Sequence, residues 1–210
     1  PRLHGGWHVL QSYRPVGFCP MQTLPSAGYR KAPDLVRQAL LDTTARVIGK
    51  SGLAALTVKD VADAAGVSKG ALFHHFSSKQ ALLTATLTAM LDDFEQELRT
   101  HMQRAPASRG CFTRAYVEVT FDHLLQQTRD NDIGLTMANL LEPAMLARWR
   151  EWMRAMLAQF PGDAHDPRLY TARCAADGYW ATAYGRPLDE EERRNALAMA
   201  AEAMKLCSPG

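Results

Sequence analysis

The chain has 210 residues, 47% of them hydrophobic, enough for a small domain plus a larger one or for one continuous helical body. Its formal charge of +2 is unevenly placed: residues 30–79 carry eight Lys/Arg against four Asp, and residues 80–210 carry fourteen against eighteen acids. A basic first third on an acidic body points to a polyanion partner at one end, with ordinary solvated charge as the alternative. No apolar run reaches membrane-spanning length and no signal-peptide pattern opens the chain. The four cysteines, Cys19, Cys111, Cys174 and Cys207, form no C-x-x-C and share no metal-ligand spacing, which suits structural thiols in a reducing cytoplasm.

Residues 1–33 are rich in Gly and Pro and show neither helical nor strand periodicity. They read as an arm or linker, or in part as a start-site artefact, since Met21 lies inside a chain that begins at Pro1. The functional alternative is an arm laid along DNA, with Arg30 and Lys31 near a groove.

From Asp34 onward the pattern is helical, and the expected fold class is all-α. Leu40, Leu41, Thr44, Val47 and Ile48 form a stripe at helical spacing, and Gly52 follows where a stop is expected. Thr57 caps a short helix from Val58 to Ala65, with Asp60 three residues on as a variant capping box. Gly66 breaks that helix, and Ser68 caps another running to about Phe76. Ser77 and Gln80 read as a third box, opening a long helix to about Arg104. Further helices are expected at about 109–129, 132–141, 144–160, 166–184 and 189–206. The last opens with acids at 189–192, which suit the positive end of the helix dipole.

Two short helices joined by a glycine turn are a helix-turn-helix signature. The second must bury one face, supplied by Leu72 and Phe76, and present the other, which carries Lys69, Gly70, Phe73 and His74. Ser68 and the N–H groups beside it can meet a phosphate. Gly70 and Ala71 are small enough for close approach, and Ala71 can touch a thymine methyl. His74 can address base edges and His75 a phosphate. Lys79 and Thr57 can hold the flanking backbone. The His74-His75 pair is a poor metal site, because adjacent helical side chains diverge by about 100° and no third ligand is near.

The run from Leu40 to Leu83, above all residues 57–62, 65–70 and 76–79, resembles the DNA-binding domain of the TetR family of bacterial regulators. Residues 176–180 resemble a shorter run seen in many members. Ala71 stands where the family often has Thr or Ser, and Phe73 where it usually has Tyr, so two hydroxyls that commonly reach DNA are missing. The resemblance implies a helix-turn-helix domain at 34–80 and a helical regulatory and dimerisation domain at 81–210. It further implies a homodimeric repressor that binds a palindromic double-stranded operator and is released by a small-molecule effector. The last two helices would make the dimer contact, with small residues such as Ala175, Ala176, Ala181 and Ala183 allowing close approach.

Trp149, Trp152, Met153, Met156 and Phe160 make a bulky stripe, either core or the wall of an effector cavity. Phe121, Met137, Asn139 and Trp180 are further candidates, and His123, Asp177 and Asn139 could orient a ligand. No catalytic motif, metal site or cofactor site is recognisable, so an enzyme is not expected. Two rivals remain: a regulator whose C-terminal domain binds only another protein, and a helical small-molecule-binding protein that no longer binds DNA.

Overall fold

A computed structural model describes residues 33–104, 108–126, 143–182 and 188–208. The expected helix at 132–141, with Met137 and Asn139, lies outside these residues, as do Arg30, Lys31 and Ala183. Every regular element among the described residues is a helix. The first three are α1 (Pro33–Ser51), α2 (Val58–Ala64) and α3 (Lys69–His75), followed by the 25-residue α4 (Lys79–Gln103). Then come α5 (Cys111–Gln126), α6 (Pro143–Gln159), the single turn α7 (Pro161–Ala164), α8 (Pro167–Thr182) and α9 (Glu190–Cys207).

The N-terminal head forms where the apolar stripes converge. Leu40, Leu41 and Ile48 of α1 are buried with Val61, Ala62, Leu72 and Phe76. Leu82, Leu83 and Leu87 from the first turns of α4 belong to the same core cluster, and α1 packs on α4. Thr44 is fully buried, and its hydroxyl donates to the Leu40 carbonyl at 2.7 Å, which satisfies the group within its own helix. Glycine ends α1: Gly52 has φ 77° and its N–H donates to the Ile48 carbonyl at 2.8 Å.

One cap differs from the expectation. The N-cap of α4 is Ser78, whose side chain accepts from the Ala81 N–H at 3.0 Å, rather than Ser77. Ser77 follows Phe76, whose burial holds the chain extended there, so the first serine free to start the helix is the next one. The last helix starts as its acids suggest: Asp189 and Glu192 form a reciprocal capping box at the N-terminus of α9.

The C-terminal body is built around α5, which is buried or half-buried on all sides. Phe112, Ala115, Tyr116, Val117, Val119, Phe121 and Leu124 are all buried, as befits a central helix. It packs against α4, α8 and α9, while α6 packs on α4. Small residues let α8 and α9 approach α5 closely: Ala172, Ala176, Ala196, Ala200 and Ala203 are buried within the single chain. Ala176, expected at a subunit contact, is thus part of the chain's own core, whereas Ala175 and Ala181 remain half-buried.

The N-terminus of α5 is held from a distance. Gly110 precedes the helix with φ 83° and has no side chain to cap it. The buried Asp163 carboxylate on α7 takes that role, accepting from Gly110 N–H at 2.9 Å and Thr113 N–H at 2.7 Å. Arg173 of α8, also buried, ties the same corner by donating to Thr113 Oγ1 at 2.5 Å and to the Asp163 carbonyl at 3.3 Å.

Candidate nucleic-acid interface

The candidate surface is the outer side of α3. Ser68 caps α3, its Oγ accepting from the Ala71 N–H at 3.1 Å. Thr57 caps α2 in the same way, accepting from the Asp60 N–H at 3.1 Å while its hydroxyl donates to Asp60 Oδ2 at 2.7 Å. Between the helices Gly66 sits at φ 68°, in the left-handed region, and Val67 N–H closes the turn on the Ala62 carbonyl at 3.0 Å.

Leu72 is fully buried and Phe76 nearly so, which turns Lys69, Gly70, Phe73 and His74 outward. Ala71 and His75 are half-buried. Phe73 is 42% exposed, unusual for a large apolar ring, and the Lys69 ammonium lies 5.8 Å from its centroid. A Cβ placed on Gly70 would meet only Ser68 Oγ at 3.8 Å, so its smallness leaves the helix surface low rather than relieving internal crowding. Lys59 is compensated by Asp63 at 2.7 Å, whereas no carboxylate pairs with Lys69 among the described residues.

Lys79 departs from a simple backbone clamp. Its Nζ donates to the Leu56 carbonyl at 2.6 Å and so ties the start of α4 to the loop before α2. An ammonium has three donors, so two are left for a phosphate. His74 and His75 have ring centroids 5.5 Å apart, and no group of three metal-ligating side chains occurs among the described residues. Burial pushes the His75 imidazole below its ordinary pKa, with smaller contributions from the positive charge of His74 and Arg37.

The effector candidates gather in the body. Phe94 of α4 is the hub, with ring centroids 5.6 Å from Tyr116, 6.3 Å from His123 and 5.8 Å from Trp152. Trp180 reaches His123 at 6.4 Å, and Phe121 packs on Tyr179 at 5.6 Å. The polar groups at the edge of this cluster are engaged. Trp152 Nε1 donates to Glu95 at 3.1 Å, His123 Nε2 lies 2.6 Å from Glu97, and Tyr116 donates to Asp177 at 2.5 Å. Burial raises the Asp177 carboxyl above its ordinary pKa. Trp149 and Met153 are half-buried at the edge of the same core. Glu95, Glu97 and Phe94 were not anticipated, because a helix as long as α4 offers several carboxylates and only the packing shows which face inward.

This arrangement defines a helix-turn-helix DNA-binding protein with a separate helical body. Residues 40–86 match the family model for bacterial regulatory proteins of the tetR family, and residues 110–204 match a tetracyclin repressor-like C-terminal domain. The HTH-type transcriptional regulator BetI of Paraburkholderia xenovorans is 32% identical over 152 residues, covering 72% of this chain and 71% of the relative. The transcriptional repressor KstR2 of Rhodococcus jostii is 33% identical over 107 residues, 49% of this chain, and the match spans only about half (52%) of the relative's length.

Solved structures show the same fold. A transcriptional regulator from Rhodococcus sp. Rha1 superposes with a TM-score of 0.64 at 22% identity, covering 81% of this chain and 95% of that one. The multidrug binding protein EbrR, complexed with malachite green, gives 0.62 at 22% identity, covering 82% and 98%. The chain belongs to the TetR family of bacterial transcription regulators. No helix among the described residues is long and apolar enough to cross a membrane.

Proposed function

We propose that the protein is a homodimeric repressor that binds a palindromic operator and is released by a small-molecule effector. The observation that carries this is the outer side of α3, where Lys69, Gly70, Phe73 and His74 face solvent over a fully anchored Leu72. In a dimer, two such helices enter successive major grooves about 34–36 Å apart. Ser68, Lys69, His75, Lys79 and Thr57 address phosphates, while Gly70, Ala71, Phe73 and His74 face the bases.

The dimer contact is assigned to the outer faces of α8 and α9. Tyr170 (63% exposed), Cys174 and Gly178 recur every fourth residue on α8, and Leu197 (46%) and Ala201 are exposed on α9. The effector site is assigned to the cluster of Phe94, Phe121, Trp149, Trp152, Met153 and Trp180 in the helical body, and the multidrug binding protein EbrR, which shares this fold, was solved in complex with malachite green. A ligand there acts through its different affinity for two orientations of α4, the helix shared by head and body.

The test is selection of the purified protein on random duplex DNA, with affinity followed against salt. Enrichment of a palindrome with a steep salt dependence is expected. Failure to enrich any duplex, with the protein folded and dimeric, would refute operator binding and favour a ligand-binding protein that has lost it.

A further inference from the structure

Arg37 belongs to no motif, yet the fold brings it from α1 to the end of α3. Its guanidinium carbon lies 4.6 Å above the ring of Phe76, the residue that caps α3. That ring is only 3% exposed, so its position is fixed by the core, and the stacked guanidinium is held in register with the recognition helix. Arg37 is itself exposed.

The carboxylates of the head are engaged elsewhere or pass Arg37 by. Asp42 accepts from Gln38, Asp60 from Thr57 and Asp63 from Lys59. Asp34 lies three residues away on the same helix, but no ion pair joins it to Arg37 among the described residues. His75 lies against the same Phe76 ring, with centroids 6.5 Å apart, and the His74 ring lies 5.5 Å from that of His75. Burial favours the neutral form of His75, and Asp34 also acts on that ring, so the permanent positive charge at this end of α3 is Arg37, which has no ion-pair partner among the described residues. An exposed guanidinium without an ion pair is open to an anion.

The opposite end of α3 carries Lys69. The seven residues of the helix span about 10 Å, comparable with the roughly 12 Å width of a major groove. Cations at the two ends are therefore spaced to meet the two phosphate backbones that border the groove. We propose that Arg37 is a phosphate-binding residue, its guanidinium seated over the Phe76 ring beside the C-terminal end of α3 and its N–H groups available to the nucleic-acid backbone there. This rests on the operator-binding reading and adds a contact from α1 to it. A guanidinium stacked by one face keeps its in-plane N–H groups free for two phosphate oxygens.

The test compares the full-length protein with Arg37→Met, which keeps an apolar stem on the ring and removes the charge, and with Arg37→Lys. Duplex affinity is measured against salt on the selected operator and on an unrelated duplex, and thermal midpoints are recorded alongside. One lost phosphate contact per protomer makes the log–log salt slope of a dimer shallower by about 1.8, so between 50 and 200 mM salt the parent loses about twelvefold more affinity than R37M. The loss should be equal on both duplexes, and R37K should restore the slope with weaker affinity at every salt.

An R37M slope equal to the parent's, alongside a shallower slope for Lys69→Ala, would overturn the Arg37 contact and leave operator binding standing. A parent without salt-dependent duplex binding would instead remove the operator reading itself. If R37M melts early, R37K decides: a restored slope supports the contact and an unrestored one overturns it.

Discussion

Replacing Asp163 with Ala should be the most damaging single change in the body, although the residue touches no proposed ligand or DNA. The carboxylate accepts from Gly110 N–H at 2.9 Å and Thr113 N–H at 2.7 Å and is buried, so water cannot substitute for it. Each hydrogen bond to a charged group is worth about 1.5–3 kcal/mol, and deleting the acceptor leaves both donors buried without a partner. Arg173, also buried, would lose its neighbouring negative charge. The expected cost is about 3–5 kcal/mol.

In urea, with a slope of about 2–3 kcal/mol per molar, that is a midpoint lowered by roughly 1–2 M. The comparison has to be made at one protein concentration, because dimerisation adds to stability by mass action. Asp163→Asn should lose about half as much, since its amide oxygen can satisfy one N–H while its NH2 group faces the other. A D163A midpoint within about 0.3 M of the parent would refute the argument. It would mean that α5 finds another cap or that water enters the corner.

Three further outcomes can be checked directly. Lys69→Ala should weaken binding by a similar factor on all duplexes and make a dimer's salt slope shallower by about 2, read by fluorescence anisotropy. Asp177→Asn should stabilise the fold near neutral pH. The folded-state pKa of Asp177 is raised by burial, so the folded chain binds the extra proton, and stability falls as pH rises from the ordinary carboxyl value through the raised one. The substituted amide would keep an oxygen for the Tyr116 hydroxyl and remove that fall, which chemical denaturation across this pH window would show. Gly66→Ala should cost about 1–2 kcal/mol from left-handed backbone strain alone, because no atom lies within 4 Å of the added Cβ. Gly66→Asn should cost less.

The head was legible because its rules are local. The stripe in α1, the Thr57 and Ser68 caps and the turn at Gly66 each depend on residues within one or two helical turns. The exposed residues of α3 followed from placing Leu72 and Phe76 inward. The Ser78 cap was missed because two adjacent serines offer equal chemistry, and only the burial of Phe76 decides between them. The body was less legible. The Asp163 cap joins groups 50 and 53 residues apart, and the Arg37 stack joins α1 to the end of α3. The tryptophans of α6 and α8 were found by size and spacing, but the bond from Trp152 to Glu95 on α4 and the contact of Trp180 with His123 on α5 depend on how helices distant in sequence meet.

The first turns of α4 lie inside the head's core, and the Lys79 bond to the Leu56 carbonyl fastens its start to the loop before α2. Farther along, Leu91 and Leu98 are buried, and Phe94 is the centre of the aromatic cluster. The helix therefore works as a lever welded at one end and supported near the other. At 1.5 Å per residue, its 25 residues measure about 38 Å. Phe94 lies about 23 Å along the helix from Lys79, so a rotation of about 5° at the cluster would carry the head about 2 Å. In the proposed dimer, doubled across a two-fold axis, that displacement is about one-eighth of the spacing between successive major grooves. Under the proposed mechanism, an effector that tilted α4 at Phe94 would displace both heads at once.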